Sequence, residues 1–170
     1  MQPWAGEVHR ELAAAGVRLV GYVPDAGHKR LIELCLADKS MRAVVLTTEE
    51  EGVGLAAGAW LGGARSVLLM QSSGVGNVVN VLGLLKTCRF PLTMIVTMRG
   101  EAGEFNSWQV PMGEGTRAAF ETMGVAVSRA SAAGEVAPLV AAALKGGQAA
   151  AVLISQKVIG IKSFQDQTSQ

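Results

Sequence analysis

Short apolar runs alternate with longer stretches of helical spacing along this chain. The runs are VRLVGYVP (17–24), RAVVLT (42–47), RSVLLMQ (65–71), PLTMIVTM (91–98), VAVSRA (125–130) and AAAVLIS (149–155). Helical spacing fills the gaps over 7–16, 27–39, 47–63, 76–88, 116–124 and 134–147. In 27–39 the apolar positions are Leu31, Ile32, Leu34, Cys35 and Leu36, one face of a helix. Continuous apolar strands between helices predict βαβ units around a parallel sheet covered on both faces. The expected fold is α/β and doubly wound, with about six parallel strands in one domain over 1–164. Residues 165–170, QDQTSQ, read as a flexible tail. Arg99–Gly115 reads as one long irregular loop, and loops of that length usually carry function.

The bulk properties then narrow the function. Only 17% of the chain is charged, 49% is apolar and the net charge is +1. No basic run exceeds Lys29-Arg30, so neither nucleic acid nor an anionic membrane is the expected partner. No stretch reaches membrane-spanning length, and the first residues lack the apolar core of a signal peptide. Cys35 and Cys88 stand far apart, which suits a reducing, cytoplasmic compartment. With His9 and His28 they make no metal-ligand pattern.

Ligands of open parallel sheets sit beyond the carboxyl ends of the strands. Four such ends are chemically unusual: PDAGHK after the first strand, TTEEEG after the second, QSSGVGN after the third and RGEAGEFNSWQ after the fourth. Glu49, Glu50 and Glu51 open a helix that then carries no charge until Arg65. Capping explains part of this, since Thr48 with Glu51 forms a capping box and acids favour a first helical turn. It does not explain a helix without a polar face, which is expected to be buried all round. Its small residues, Gly52, Gly54, Ala56 and Gly58 among them, would let another helix approach closely. In Ser72–Asn80 the glycines Gly74 and Gly76 open a helix N-terminus, with Ser72, Ser73 and Asn77 as hydrogen-bonding groups. Taken alone, that motif is better explained by a plain strand-to-helix turn.

Together, TTEEEGVGLAAGAWLGG, LLMQSSGVGNVVN and RGEAGEFNSWQVPMGEGT resemble the pyrimidine-binding domain of thiamine-diphosphate enzymes. More narrowly, they are similar to the alpha subunit of sulfopyruvate decarboxylase and the matching half of phosphonopyruvate decarboxylase. GYVPDAG and AAAVLISQ agree in order and spacing, so the resemblance covers nearly the whole chain. It implies a decarboxylase acting on a small anionic 2-keto acid, with thiamine diphosphate as cofactor. In that family a glutamate hydrogen-bonds N1′ of the aminopyrimidine, and the cofactor serves as electron sink. The resemblance assigns this role to Glu50, with Glu49 as the neighbouring alternative and Glu51 left to capping. It places Ser72, Ser73, Gly74 and Asn77 along the cofactor, and Asp25, His28, Arg99 and Gln109 toward substrate, where Lys29 could also pair with an anion. The family binds the diphosphate through Mg²⁺ on a domain marked by GDG, which this chain lacks. The expected partner is therefore a beta subunit carrying the diphosphate-binding domain and most of the contacts to Mg²⁺. The rival expectation is a non-catalytic binding or regulatory module on the same fold, with the glutamates acting only as caps.

Overall fold

The computed structural model describes residues 3–160. The segment read as a tail, 165–170, lies outside the described residues, as do 161–164 of the expected domain. Six strands, β1 (Val17–Tyr22), β2 (Arg42–Val45), β3 (Arg65–Gln71), β4 (Thr93–Thr97), β5 (Ala126–Ala130) and β6 (Ala150–Ile154), form one sheet. Their order is β2-β1-β3-β4-β6-β5, and every neighbouring pair is parallel. The expected α/β fold with a parallel six-stranded sheet is present. The order reverses at β1, so the crevice beyond the carboxyl ends of β1 and β3 is a topological switch point.

Strand alternation builds two cores, one on each face of the sheet. Val67 and Leu69 of β3, Ile95 of β4, and Val152 and Ile154 of β6 face one way. They pack under Trp4, Val8 and Leu12 of α1 (Pro3–Ala14), Leu31 and Cys35 of α2 (Lys29–Ala37), and Val136 and Val140 of α7 (Ala133–Lys145). Leu68, Met70, Met94, Val96, Ala151 and Leu153 face the other way. They meet Val53 and Ala56 of α3 (Glu49–Leu61), Val75 and Val78 of α4 (Ser72–Val78), Leu85 of α5 (Gly83–Cys88) and Phe120 of α6 (Val110–Thr122). Each such aliphatic side chain, fully buried, contributes about 1.5–3 kcal/mol. A last short helix, α8 (Gln156–Ile159), follows β6 directly.

Three expectations change. The helix expected over 76–88 is two helices, and the first begins at Ser72, without a turn after β3. The loop expected to reach Gly115 ends earlier, because a 3₁₀ turn at Ser107–Gln109 leads into α6 at Val110. Pro111 sits in the first turn of that helix, where it has no N–H to lose and its φ is already helical. Gly113 does not break α6, because it serves a close approach: a Cβ there would lie 2.3 Å from the Arg99 carbonyl oxygen. Opposite it, Gly100 has φ +76°, and its Cβ would fall 2.3 Å from the Gln109 carbonyl oxygen. The two glycines let the chain leaving β4 cross the start of α6.

The third change concerns α3. Its buried stripe is Glu49, Gly52, Val53 and Ala56, while Glu50, Glu51, Gly54, Gly58 and Leu61 are exposed. The helix is thus buried on one face only, and Leu61 is 79% exposed on the other. Gly52 admits the sheet rather than a second helix, since a Cβ there would lie 2.4 Å from Leu68 Cδ1. No helix among the described residues is long and apolar enough to cross a membrane.

Candidate active site

A line of hydrogen-bonded polar side chains runs across the carboxyl ends of β1, β3 and β4. Asp25, just beyond β1, is its centre. Asp25 Oδ1 accepts from Gln71 Nε2 at 2.9 Å, and Oδ2 accepts from Thr97 Oγ1 at 2.6 Å and from the Gly27 N–H at 3.1 Å. Gly27 makes this possible, because a Cβ there would lie 2.7 Å from Asp25 Oδ2. Gln71 Oε1 in turn accepts from Ser73 Oγ at 2.7 Å and Gln109 Nε2 at 3.1 Å. Gln109 is 3% exposed, and its Oε1 is a buried acceptor without a partner among the described residues. Such an orphan is uncommon in a folded protein and suits a ligand donor. Gln71 and Thr97 were not singled out by the sequence. Their signal was a polar residue closing an otherwise apolar strand.

Beside this line stands the glutamate. Glu49 is 6% exposed, whereas Glu50 and Glu51 face solvent. In this chain Glu49 is thus the glutamate inside the polar cluster, while Glu50 lies on the outer face of α3 with Gly54, Gly58 and Leu61. Successive helical residues turn by about 100°, so Glu49 shares the face of Gly52, Val53 and Ala56 while Glu50 points away. Asn77 Nδ2 donates to Glu49 Oε2 at 2.8 Å. The carboxylate lies against Gly74, where a Cβ would fall 2.0 Å from Oε1 and 2.3 Å from Cδ. Glu51 is a cap, though not through the expected pairing: its Oε2 accepts from the Thr47 N–H at 2.8 Å, and Thr48 makes no side-chain cap.

The remaining expected residues divide. Ser73, Gly74 and Asn77 gather around Glu49 and Gln71. Ser72 is fully buried, and its Oγ accepts from the Arg99 N–H at 2.9 Å, so its side chain ties β3 to β4 instead of facing a ligand. His28 is corrected outright. It is fully buried, edge-on to Trp4, with Nε2 at 3.2 Å from Met70 O and 3.1 Å from Ile95 O. Two carbonyl acceptors assign the proton to Nε2. Burial lowers its pKa, only partly opposed by Asp25, so the ring is a neutral strut under the site. Lys29 is exposed.

Arg99 is 8% exposed and borders a cavity of about 150 Å³, together with Asp25, Gly27, Thr97, Gln156 and Ile159. Its guanidinium is bidentate to Glu104, with Nε donating to Oε2 at 2.6 Å and Nη2 to Oε1. The Arg99 bond, with the N–H groups of Asn106 and Gly100 and the Gln156 amide, holds the Glu104 carboxyl far below the usual range. Glu101 staples the same loop, accepting from Ser155 Oγ at 2.9 Å and pairing with Arg129 at 2.7 Å. A carboxylate whose pKa is depressed by folding stabilises the fold above its unfolded value, here 4.5, and loses that contribution as pH falls toward the folded value. Glu104→Gln is therefore expected to lower the urea midpoint at pH 7, with the gap to wild type narrowing by pH 3. A gap constant with pH contradicts this.

No protein-family model matches the chain. It is 39% identical over 117 residues to sulfopyruvate decarboxylase subunit alpha of Methanococcus maripaludis, across 68% of this chain and 70% of that one. Against the same subunit of Methanothermobacter thermautotrophicus it is 44% identical over 110 residues, 64% of this chain and 67% of that protein. Phosphonopyruvate decarboxylase of Streptomyces viridochromogenes is 39% identical over 101 residues, 59% of this chain and 25% of that longer one. Among solved structures, 2-oxoglutarate:ferredoxin oxidoreductase of Magnetococcus marinus superposes with TM-score 0.71 at 13% identity, covering 92% of this chain and 29% of that one. That last likeness speaks for the fold.

Proposed function

The chain belongs to the family of sulfopyruvate decarboxylase alpha subunits, and from that membership we propose that it is the pyrimidine-binding half of a thiamine-diphosphate-dependent 2-keto acid decarboxylase. One observation carries the reading into this chain's own residues. Glu49 is a nearly buried carboxylate with one oxygen engaged by Asn77 and the other without a hydrogen bond among the described residues. It rests on a glycine that leaves no room for a side chain. This fits an aminopyrimidine, whose ring nitrogen needs a fixed carboxyl partner away from bulk water. In such a site a hydrogen bond to a charged group is stronger than in solvent.

Thiamine diphosphate, when bound, supplies the electron sink for the charge left by departing carbon dioxide. The protein's part is positioning and proton control. Glu49 holds a proton at the aminopyrimidine nitrogen, and Gly74 and Asn77 fix the carboxyl that does so. Gln109 offers its unpaired amide oxygen to a donor, and Gln71 holds it there. Asp25, fixed from three sides, borders the cavity that receives the 2-keto acid, and Arg99 offers the positive charge that suits its anionic end. Sulfopyruvate and phosphonopyruvate, for which the relatives are named, both end in a tetrahedral anion of that kind.

The partner in this proposal is a beta subunit that carries the diphosphate-binding domain and Mg²⁺. The naming of the Methanococcus and Methanothermobacter relatives as alpha subunits supports it, since an alpha subunit implies another subunit. The outer face of α3, where Gly54, Gly58 and Leu61 follow Glu50, is a surface for such a partner to cover. The test is turnover. Mixed with that subunit, thiamine diphosphate and Mg²⁺, the chain is expected to release carbon dioxide from sulfopyruvate or phosphonopyruvate, and neither subunit alone to do so. A mixed complex that forms and decarboxylates no 2-keto acid contradicts the proposal.

A further inference from the structure

Arg99 is the cation among the side chains bordering the cavity, and Glu104, its partner, is not among them. A guanidinium has five N–H donors in a fixed plane. Two of them, on Nε and Nη2, go to Glu104. The three others, both on Nη1 and the second on Nη2, meet no acceptor among the described residues. Glu104 itself is saturated. Its side chain is 1% exposed and accepts from Arg99 twice, from the Gly100 N–H at 3.1 Å, the Asn106 N–H at 2.9 Å and Gln156 Nε2 at 2.9 Å. The loop from Gly100 to Asn106 is wrapped around this one carboxylate.

We propose that Glu104 is a positioning residue for substrate: by clasping the Nε–Nη2 edge of Arg99 it fixes the plane of the guanidinium and turns the Nη1 end to the anionic tail of the 2-keto acid. This rests on the decarboxylase reading above. Two other roles are open to an internal carboxylate beside a binding arginine, and the geometry argues against both. As a competitor that substrate must displace, Glu104 would have to give up both bonds to Arg99 and remain a buried carboxylate held by three neutral donors with no cation, which is strongly unfavourable. As a mere staple for the loop it duplicates Glu101, which already ties the loop to Ser155 and Arg129. What Glu101 does not do is touch the guanidinium. A bidentate carboxylate fixes a planar group in a way that a single contact cannot.

The test compares sulfopyruvate with pyruvate, which has a methyl hydrogen where sulfopyruvate has its sulfonate, in the reconstituted two-subunit enzyme. Glu104→Gln keeps the size and loses the clasp. It is expected to raise KM for sulfopyruvate about tenfold more than KM for pyruvate, the scale of one charge-assisted contact. Arg99→Lys is expected to do the same, and the double variant to be no worse than Arg99→Lys, because both act on one contact. Equal losses on the two substrates assign Glu104 to the loop alone and overturn the proposal. A fall in KM for sulfopyruvate makes it a competitor and also overturns it. If no 2-keto acid is turned over, the decarboxylase reading fails, and phosphonoacetate titrated into the full chain still decides the positioning claim. The Arg99 Nε–H resonance is then expected to shift in the wild type and to be broadened in Glu104→Gln. An unmoved wild-type resonance overturns the proposal.

Discussion

Glu49→Gln is expected to lower kcat of the reconstituted enzyme by roughly 10²-fold or more, the usual loss for an acid–base or electrostatic group. Glutamine has nearly the same shape and its amide oxygen still accepts from Asn77, so the melting temperature is expected to move little. What it lacks is the negative charge that steadies a proton on a neighbouring ring nitrogen. Glu50→Gln is the matched comparison. That side chain stands one helical step away on the outer face of α3, apart from Asn77 and Gly74, and its substitution is expected to cost far less kcat than Glu49→Gln. The two variants carry the same chemical change at adjacent positions, so a general effect of acid loss at the start of α3 cancels between them. A large loss in Glu50→Gln with none in Glu49→Gln would return the role to the exposed residue.

Gly74→Ala is expected to have a similar effect on activity by a different route. A methyl group at this position would fall 2.0 Å from Glu49 Oε1. Either the carboxylate moves or the first turn of α4 shifts. A displacement of about 1 Å in a reacting group can cost 10²-fold, and overpacking here adds about 1–3 kcal/mol of destabilisation. Gly76→Ala serves as the control. Its Cβ would meet Met112 Sδ at 3.5 Å, an ordinary contact, and activity is expected to survive. Kinetics and urea denaturation on both variants check this. Full activity in Gly74→Ala would mean that Glu49 need not sit where it does.

The strands were legible in the sequence because a parallel sheet covered on both faces leaves no polar side, so VLLM in β3 and AVLI in β6 read as unbroken apolar runs. The carboxyl edge was legible too, since Asp25, Ser73, Asn77 and Gln109 are polar residues at ends of apolar elements. The phase of α3 was not. Three consecutive glutamates open a helix whose two stripes, Gly52-Val53-Ala56 and Gly54-Gly58-Leu61, are both uncharged beyond that first turn. Only the packing of Gly52 on Leu68 says which stripe faces the sheet, and that is a tertiary fact. His28 looked like a ligand at a strand end, but its partners are carbonyls of β3 and β4, distant in sequence. Arg99 was correctly placed at the edge. That two of its five donors are taken by Glu104 depends on how the loop folds back, which Gly100 at φ +76° permits and the sequence does not display.

The central claim is that this chain supplies the glutamate side of a cofactor site that another subunit completes. Calorimetric titration of thiamine diphosphate with Mg²⁺ tests it most directly, first into the isolated chain and then into the assembled pair. The pair is expected to bind saturably, the chain alone to show no stoichiometric binding, and a pair carrying Glu49→Gln to bind more weakly. Tight one-to-one binding by the isolated chain, indifferent to Glu49, would contradict it.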